Sequence, residues 1–214
     1  MKIDKPDVGE NLELIDTILL HLRAAQYEVE SAKIKGEDLI AEDLSESSFT
    51  ETVFEQCTFS ECNIRKSSFA DVIFRSCDFS NSKLSGSTFA RCHFISCKGV
   101  GASLRECGFR DVIFESSAFK YADFTESSLN FIKIIDSDFS HAELVKCSLR
   151  NTAFTEAVFI GTAFYHTPLK GIDFTDSIMS DIGVTSELRE LKGVVVDREQ
   201  AAQLAALLGV IIRD

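Results

Sequence analysis

The sequence predicts an all-β solenoid: a four-sided β-helix whose coils are built from a five-residue repeat. Three observations predict it. Large apolar residues recur at every fifth position from Val29 to Val184 without a slip in register, Gly99 alone excepted, among thirty-two centres. Seventeen of the 18 Phe lie in this register, and Phe131 alone does not. Val or Ile takes the position two before the centre at Val72, Val112, Ile132, Ile172 and Ile182, of which the first four differ by multiples of 20, and Asp71-Val72-Ile73-Phe74 returns as Asp111-Val112-Ile113-Phe114. A helix face repeats near 3.6 residues and a strand alternates with period two, so neither explains a period of five with two inward positions. A chain that turns a corner after each short extended piece does, and the 20-residue recurrence makes four such pieces one coil.

Each element of that reading has its own residues. Two positions before most centres stands a smaller residue, as at Ser47, Thr52, Cys62, Ser67, Ala102 and Ala122. Cys57, Cys62, Cys77, Cys92, Cys97, Cys107 and Cys147 all fall at this position, which marks them as small buried residues. None has the paired spacing of a zinc site. Gly99 is the single centre without a side chain, so a gap or local thinning is expected between Phe79 and Phe119. Eight coils at the ordinary strand spacing give a rod about 38 Å long.

The ends differ from the repeat, and the chain divides into residues 1–26 as an N-terminal cap, 27–186 as the β-helix, and 187–214 as a C-terminal cap and dimerisation segment. Leu12, Ile15, Leu19 and Leu22 have helical spacing, which predicts a short capping helix over 10–23, with an irregular first coil as the alternative. After Val184 the register fails. Asp197 with Gln200 three residues on is a capping box, and Gly209 is placed to end the helix it begins. Val210-Ile211-Ile212 reads as a short strand. A plain cap would satisfy this tail, but so much apolar surface at a terminus also predicts a homodimer contact through Leu204, Leu207, Leu208, Val210 and Ile212.

The formal charge of −12 argues against nucleic-acid binding, which needs basic residues to neutralise phosphate, and against an anionic membrane. The N-terminal stretch has no export-signal pattern and no segment is long and apolar enough to span a bilayer, so a cytoplasmic protein is expected. His21, His93, His141 and His166 are scattered and no Gly-rich phosphate loop is present. No catalytic constellation, cofactor or metal is expected, and an enzyme is not. Contact surfaces are the remaining candidates. The most acidic of the four sides carries Glu37, Asp38, Glu61, Asp78, Asp138 and Asp181, offset by Lys98 and Lys120. The side marked by Val and Ile at the small position places Val53, Ile73, Ile95, Ile113 and Ile135 outward, either as a contact surface or beneath an end segment.

Ala122-Asp123-Phe124-Thr125-Glu126 is close to the A(D/N)LXX motif, and Ala142-Glu143-Leu144 nearly so. On these and the unbroken register the chain resembles the pentapeptide-repeat family, and the resemblance implies a right-handed quadrilateral β-helix. The tail from Leu191 to Ile212 resembles the end of the gyrase-binding, quinolone-resistance (Qnr-like) subgroup, whose members join two rods tail to tail and imitate duplex DNA. That resemblance implies DNA gyrase or topoisomerase IV as partner, and modulation of the enzyme or protection from quinolones or peptide toxins. A non-enzymatic scaffold for another protein is the alternative. Some subgroup members carry projecting loops, for which the unbroken register leaves no room.

Overall fold

The structure, a computed structural model, describes residues 1–15, 17–19, 22 and 27–213. It is a parallel β-solenoid of about eight turns with one C-terminal helix. After β1 (Glu13–Ile15), β2 (Glu28–Glu30), β3 (Ala32–Lys35), β4 (Ser48–Thr50) and β5 (Val53–Glu55), each coil contributes one eight-residue strand. These are β6 (Ser68–Arg75), β7 (Thr88–Ile95), β8 (Gly108–Glu115), β9 (Ser128–Ile135) and β10 (Ser148–Thr155). Every pairing from β2 to β10 is parallel and offset by 20 residues, as in Phe54↔Phe74, Phe74↔Phe94 and Phe94↔Phe114. Two sides of the coil therefore form one bent sheet. The other two are held by single bridges at the same offset, Asp78↔Lys98 and Lys83↔Ser103 among them. β11 (Val158–Ile160) pairs with β12 (Ile178–Ser180) near the C-terminal end.

The corners explain how so short a period closes. The residue two after the centre is left-handed at Glu61, Lys66, Arg91 and Tyr121, and at Gly86, Gly101 and Gly161. A non-Gly residue costs about 1–2 kcal/mol there. The amides at these corners repay it by donating to the next coil, as Glu61 N–H does to Ser80 O at 3.0 Å and Lys66 N–H to Ser85 O at 3.1 Å.

Inside, the centres stack along the rod axis. Phe69, Phe89 and Phe109 are spaced 4.9 Å apart with rings within 6° of parallel. The small position does more than leave room. Ser87 Oγ donates to Ile64 O (2.8 Å), Cys107 Sγ to Leu84 O (3.1 Å), Ser127 Oγ to Leu104 O (2.7 Å) and Cys147 Sγ to Phe124 O (3.0 Å). Serine and cysteine alternate in this column because either can cap the carbonyl of a centre in the preceding coil. All seven thiols are free and buried. Burial pushes Cys62 up to about 11 and Cys92, Cys107 and Cys147 up to about 12. Because all seven are buried, a thiol-reactive dye at about pH 8 should label the native protein negligibly and all seven cysteines after unfolding in guanidinium; rapid labelling of the folded chain would contradict this packing.

Three expectations need correction. The hollow at Gly99 is filled: a Cβ there would lie 2.3 Å from Phe119 Cε1, so the Phe119 ring leans into that space. The N-terminal segment is not one helix over 10–23: Ile18, Leu19 and Leu22 are helical, but the residues before them are not. Glu13–Ile15 is a strand pairing with Ala32–Ile34, so Ile15 begins the column that Ile34 continues. Ile18 and Leu22 are buried beyond it and Leu19 packs against the core; Asp16, Leu20, His21 and Arg23 lie outside the described residues. At the far end Val210-Ile211-Ile212 forms no strand. A strand needs a neighbour for its ladder bonds, and none of the described residues supplies one.

The register change after Val184 inserts two residues before the chain rejoins the stack. Leu169 N–H reaches Glu190 O and Phe174 N–H reaches Val195 O, both at 2.9 Å, so residues 190–195 lie on the eighth coil as a partial ninth. The buried Glu190 carboxylate accepts from His166 N–H (2.8 Å) and Thr185 Oγ1–H (2.9 Å), which closes the inserted turn. Helix α1 (Arg198–Ala206) then begins on the expected capping box: Gln200 N–H donates to Asp197 Oδ1 (2.8 Å) and Asp197 N–H to Gln200 Oε1 (3.1 Å). It closes at a left-handed Gly209, with Val210 N–H bonded to Ala205 O (3.3 Å) and Gly209 N–H to Ala206 O (2.9 Å).

Candidate interaction surfaces

The bent sheet sets out two outward rows. One runs Val53, Ile73, His93, Ile113, Lys133 and the other Glu55, Arg75, Ile95, Glu115, Ile135. All five residues expected on the apolar side stand in these rows. His93 Nε2 lies 2.8 Å from Glu115 Oε2, and burial lowers the His93 pKa although Glu115 opposes the shift. The imidazole is thus neutral at pH 7 and bridges the two rows. At the corner beside them Arg91 grips Asp71 with two bonds, Nε to Oδ1 at 2.7 Å and Nη2 to Oδ2 at 2.6 Å. This pairing holds the Asp71 carboxyl below its usual range.

The acidic candidates share a side but form no continuous stripe. Asp38, Asp78 and Asp138 stand in one axial row, interrupted by Thr58, Lys98 and Ala118. Asp138 pairs with Lys120 Nζ at 2.8 Å, and Asp78 Oδ1 accepts from Ser80 N–H at 2.9 Å. Glu61 and Asp181 occupy corners of the neighbouring row, and Glu37 takes an inward small position at half-exposure. In that corner row the Tyr121 and His141 rings stack at 4.9 Å, and the His141 ring covers Gly161.

The charge gathers instead at one end. The first two coils, residues 27–66, hold ten carboxylates and four basic side chains, a net −6. The fourth coil, residues 87–106, holds one carboxylate and three basic side chains, a net +2. In the first coil the only basic residues are Lys33 and Lys35, and both pair with Glu55 of the second, at 2.8 and 3.1 Å.

At the tail, Leu207, Leu208 (70 % exposed), Val210 and Ile212 are exposed, whereas Leu204 packs against the core. Ile211, the middle of the same apolar run, is the most exposed at 83 % and belongs with this patch. Among the described residues no helix is long and apolar enough to cross a membrane.

Comparison with known proteins bears on these surfaces. The family described as "Pentapeptide repeat region" matches residues 67–144, and that described as "Pentapeptide repeats (8 copies)" matches 43–75 and 137–176. No curated protein sequence matches the chain. Among solved structures it is similar to full-length QnrB1, a plasmid-mediated fluoroquinolone resistance protein. The two are 20% identical with a TM-score of 0.57, over 92% of this chain and 95% of that one. Trypsin-treated QnrB1 is similar at 19% identity and a TM-score of 0.56, over 87% of this chain and 99% of that one. HetL of Nostoc sp. strain PCC 7120, a pentapeptide-repeat protein involved in heterocyst differentiation regulation, is 13% identical with a TM-score of 0.40, over 85% of this chain and 97% of that one. With an unbroken register, coils of 20 residues and family matches that run from residue 43 to 176, the chain belongs to the pentapeptide-repeat proteins.

Proposed function

We propose that the rod engages the DNA-binding saddle of a type II topoisomerase, gyrase or topoisomerase IV, in place of duplex DNA, and so modulates the enzyme or shields it from quinolones or toxins. The observation that carries this reading is the charge of the first two coils. A net −6 over about 10 Å of rod is one charge per roughly 1.6 Å, against one per about 1.7 Å along B-DNA. The fold shared with QnrB1 over nearly both whole chains supports it. The exposed tail from Leu207 to Ile212 is the proposed homodimer contact, where a second copy would supply the strand partner that Val210–Ile212 lacks. Two rods joined there would span about 75 Å of repeat and carry their acidic coils at the outer ends.

The test is gyrase supercoiling with purified protein, with and without a fluoroquinolone. Glu42→Lys, Asp43→Lys and Glu46→Lys together should abolish any effect, while Asp173→Lys and Asp176→Lys should leave it. No effect of the unaltered protein on either reaction at micromolar concentration would end the reading. Light scattering checks the dimer separately. Leu208→Arg should halve the mass, and because Leu208 faces solvent it tests association without unseating α1, which a change at Leu204 would do.

A scaffold for some other protein is the second reading, favoured by the apolar rows of the bent sheet.

A further inference from the structure

Ile113 and Val53 point away from the core, yet they are only 5 % and 8 % exposed. An outward side chain can be covered only from outside the coil. Among the described residues, the segment that reaches this face is the N-terminus. Asp4 N–H donates to Asp111 Oδ1 (3.4 Å), Asp7 N–H donates to Asp71 Oδ1 (3.1 Å), and Ile3 is itself only 9 % exposed. Asp71 and Asp111 stand in one corner row two coils apart, about 10 Å. Three extended residues span about 10 Å as well. Residues 3–7 therefore lie straight along the rod axis, across the strands, running opposite to the order in which the coils are laid down.

This arm is lightly held. It crosses the strands instead of pairing with them, so it gains no ladder bonds. One buried aliphatic side chain, the partly buried Pro6 and Val8 and two amide-to-carboxylate bonds oppose the entropy of ordering some nine residues, a cost of comparable size. Both carboxylates are fixed independently of the arm or beside a partner: Asp71 by Arg91, and Asp111 by Arg110 Nε at 3.6 Å. The two carboxylates thus keep partners whether or not the arm lies across the face.

We propose that this face is a docking groove for an extended peptide segment of a protein partner, with residues 1–9 as its built-in occupant. The arm states the chemistry the groove accepts: extended backbone, an aliphatic side chain in the place of Ile3, and free amides three residues apart to meet Asp111 and Asp71. A partner segment of that kind enters by displacing the arm. The inference does not depend on the topoisomerase reading, which rests on the first two coils.

The test uses the full chain and a fluorescent peptide of residues 1–9, with binding read by anisotropy and folding by circular dichroism. Ile3→Asp should free the groove, so that the peptide binds this variant about tenfold or more tighter than the unaltered chain, whose own arm competes. Adding Ile113→Lys should abolish binding, and so should an aspartate in place of the peptide's isoleucine. Hydrogen exchange at the Asp4 and Asp7 amides of the unaltered chain should rise as peptide is added. Equal affinity for the unaltered and Ile3→Asp chains, survival of binding in Ile113→Lys, or no binding to either chain at millimolar peptide would each overturn the proposal.

Discussion

Phe119→Ala is expected to cost about 3–5 kcal/mol in a urea melt. The Phe119 ring meets Phe94 and Phe114 edge-on, at 5.9 and 5.0 Å between centroids, and stacks on Phe139 at 5.6 Å. It also fills the space of the missing side chain at Gly99, so one ring serves two levels of the column. Truncation would leave both levels empty, and the stacked coils on either side cannot close over them because their spacing is fixed by the ladder. The loss should therefore lie towards the top of that range. Gly99→Ala supplies an independent check. Alone it drives a Cβ into the Phe119 ring and should cost about 1–3 kcal/mol. In the Phe119→Ala background the same methyl enters an empty space and should cost nothing or stabilise, a coupling that a double-mutant cycle measures directly. A loss below about 1 kcal/mol for Phe119→Ala would mean the ring is not part of the core.

Gln200→Leu should detach the C-terminal cap, at a cost of about 2–3 kcal/mol. Gln200 is buried, and its side chain works in two directions. Oε1 completes the capping box, while Nε2 donates to Phe174 O at 3.0 Å and Ser177 O at 2.7 Å in the last full coil. Leucine keeps the volume but leaves both carbonyls and the Asp197 amide without that partner. Hydrogen exchange of the α1 amides is the direct readout, with tryptic cleavage after Arg198 as a second. Unchanged protection of α1 in the variant would show that the apolar contacts of Leu204 hold the helix by themselves.

The repeat was legible because burial repeats. Phe54, Phe74, Phe94 and Phe114 occupy one environment four times over, and a composition with 18 Phe and no Trp follows from that reuse. The corners were not legible. Glu61, Lys66 and Arg91 are not turn formers, and their left-handed backbone is imposed by bonds to the next coil, which no local pattern encodes. The spacing of Leu12, Ile15, Leu19 and Leu22 suits a helix, but Ile15 answers to the column it joins beneath Ile34. That Val53, Ile73, Ile95, Ile113 and Ile135 point outward follows from the period, and an end segment over them was one of two alternatives, but which segment was not identifiable. Residues 1–9 hold a single buried side chain and have no period to read. The capping box at Asp197 could be seen because both partners lie within one turn. The bonds from Gln200 to Phe174 and Ser177 span more than twenty residues and became visible only with the fold.

The offset of 20 residues between paired strands bears on how the molecule gains and loses its shape. Each coil touches little besides the coil before and the coil after, so no contact waits for distant parts of the chain to meet, and melting can advance inward from either end like a zipper. The same arrangement makes length a modular quantity. Phe74 lies on Phe94 much as Phe94 lies on Phe114, at 4.7 and 4.9 Å. A coil excised or duplicated whole brings equivalent surfaces together again, and alters the reach of the rod in steps of about 4.8 Å while both ends keep their own chemistry.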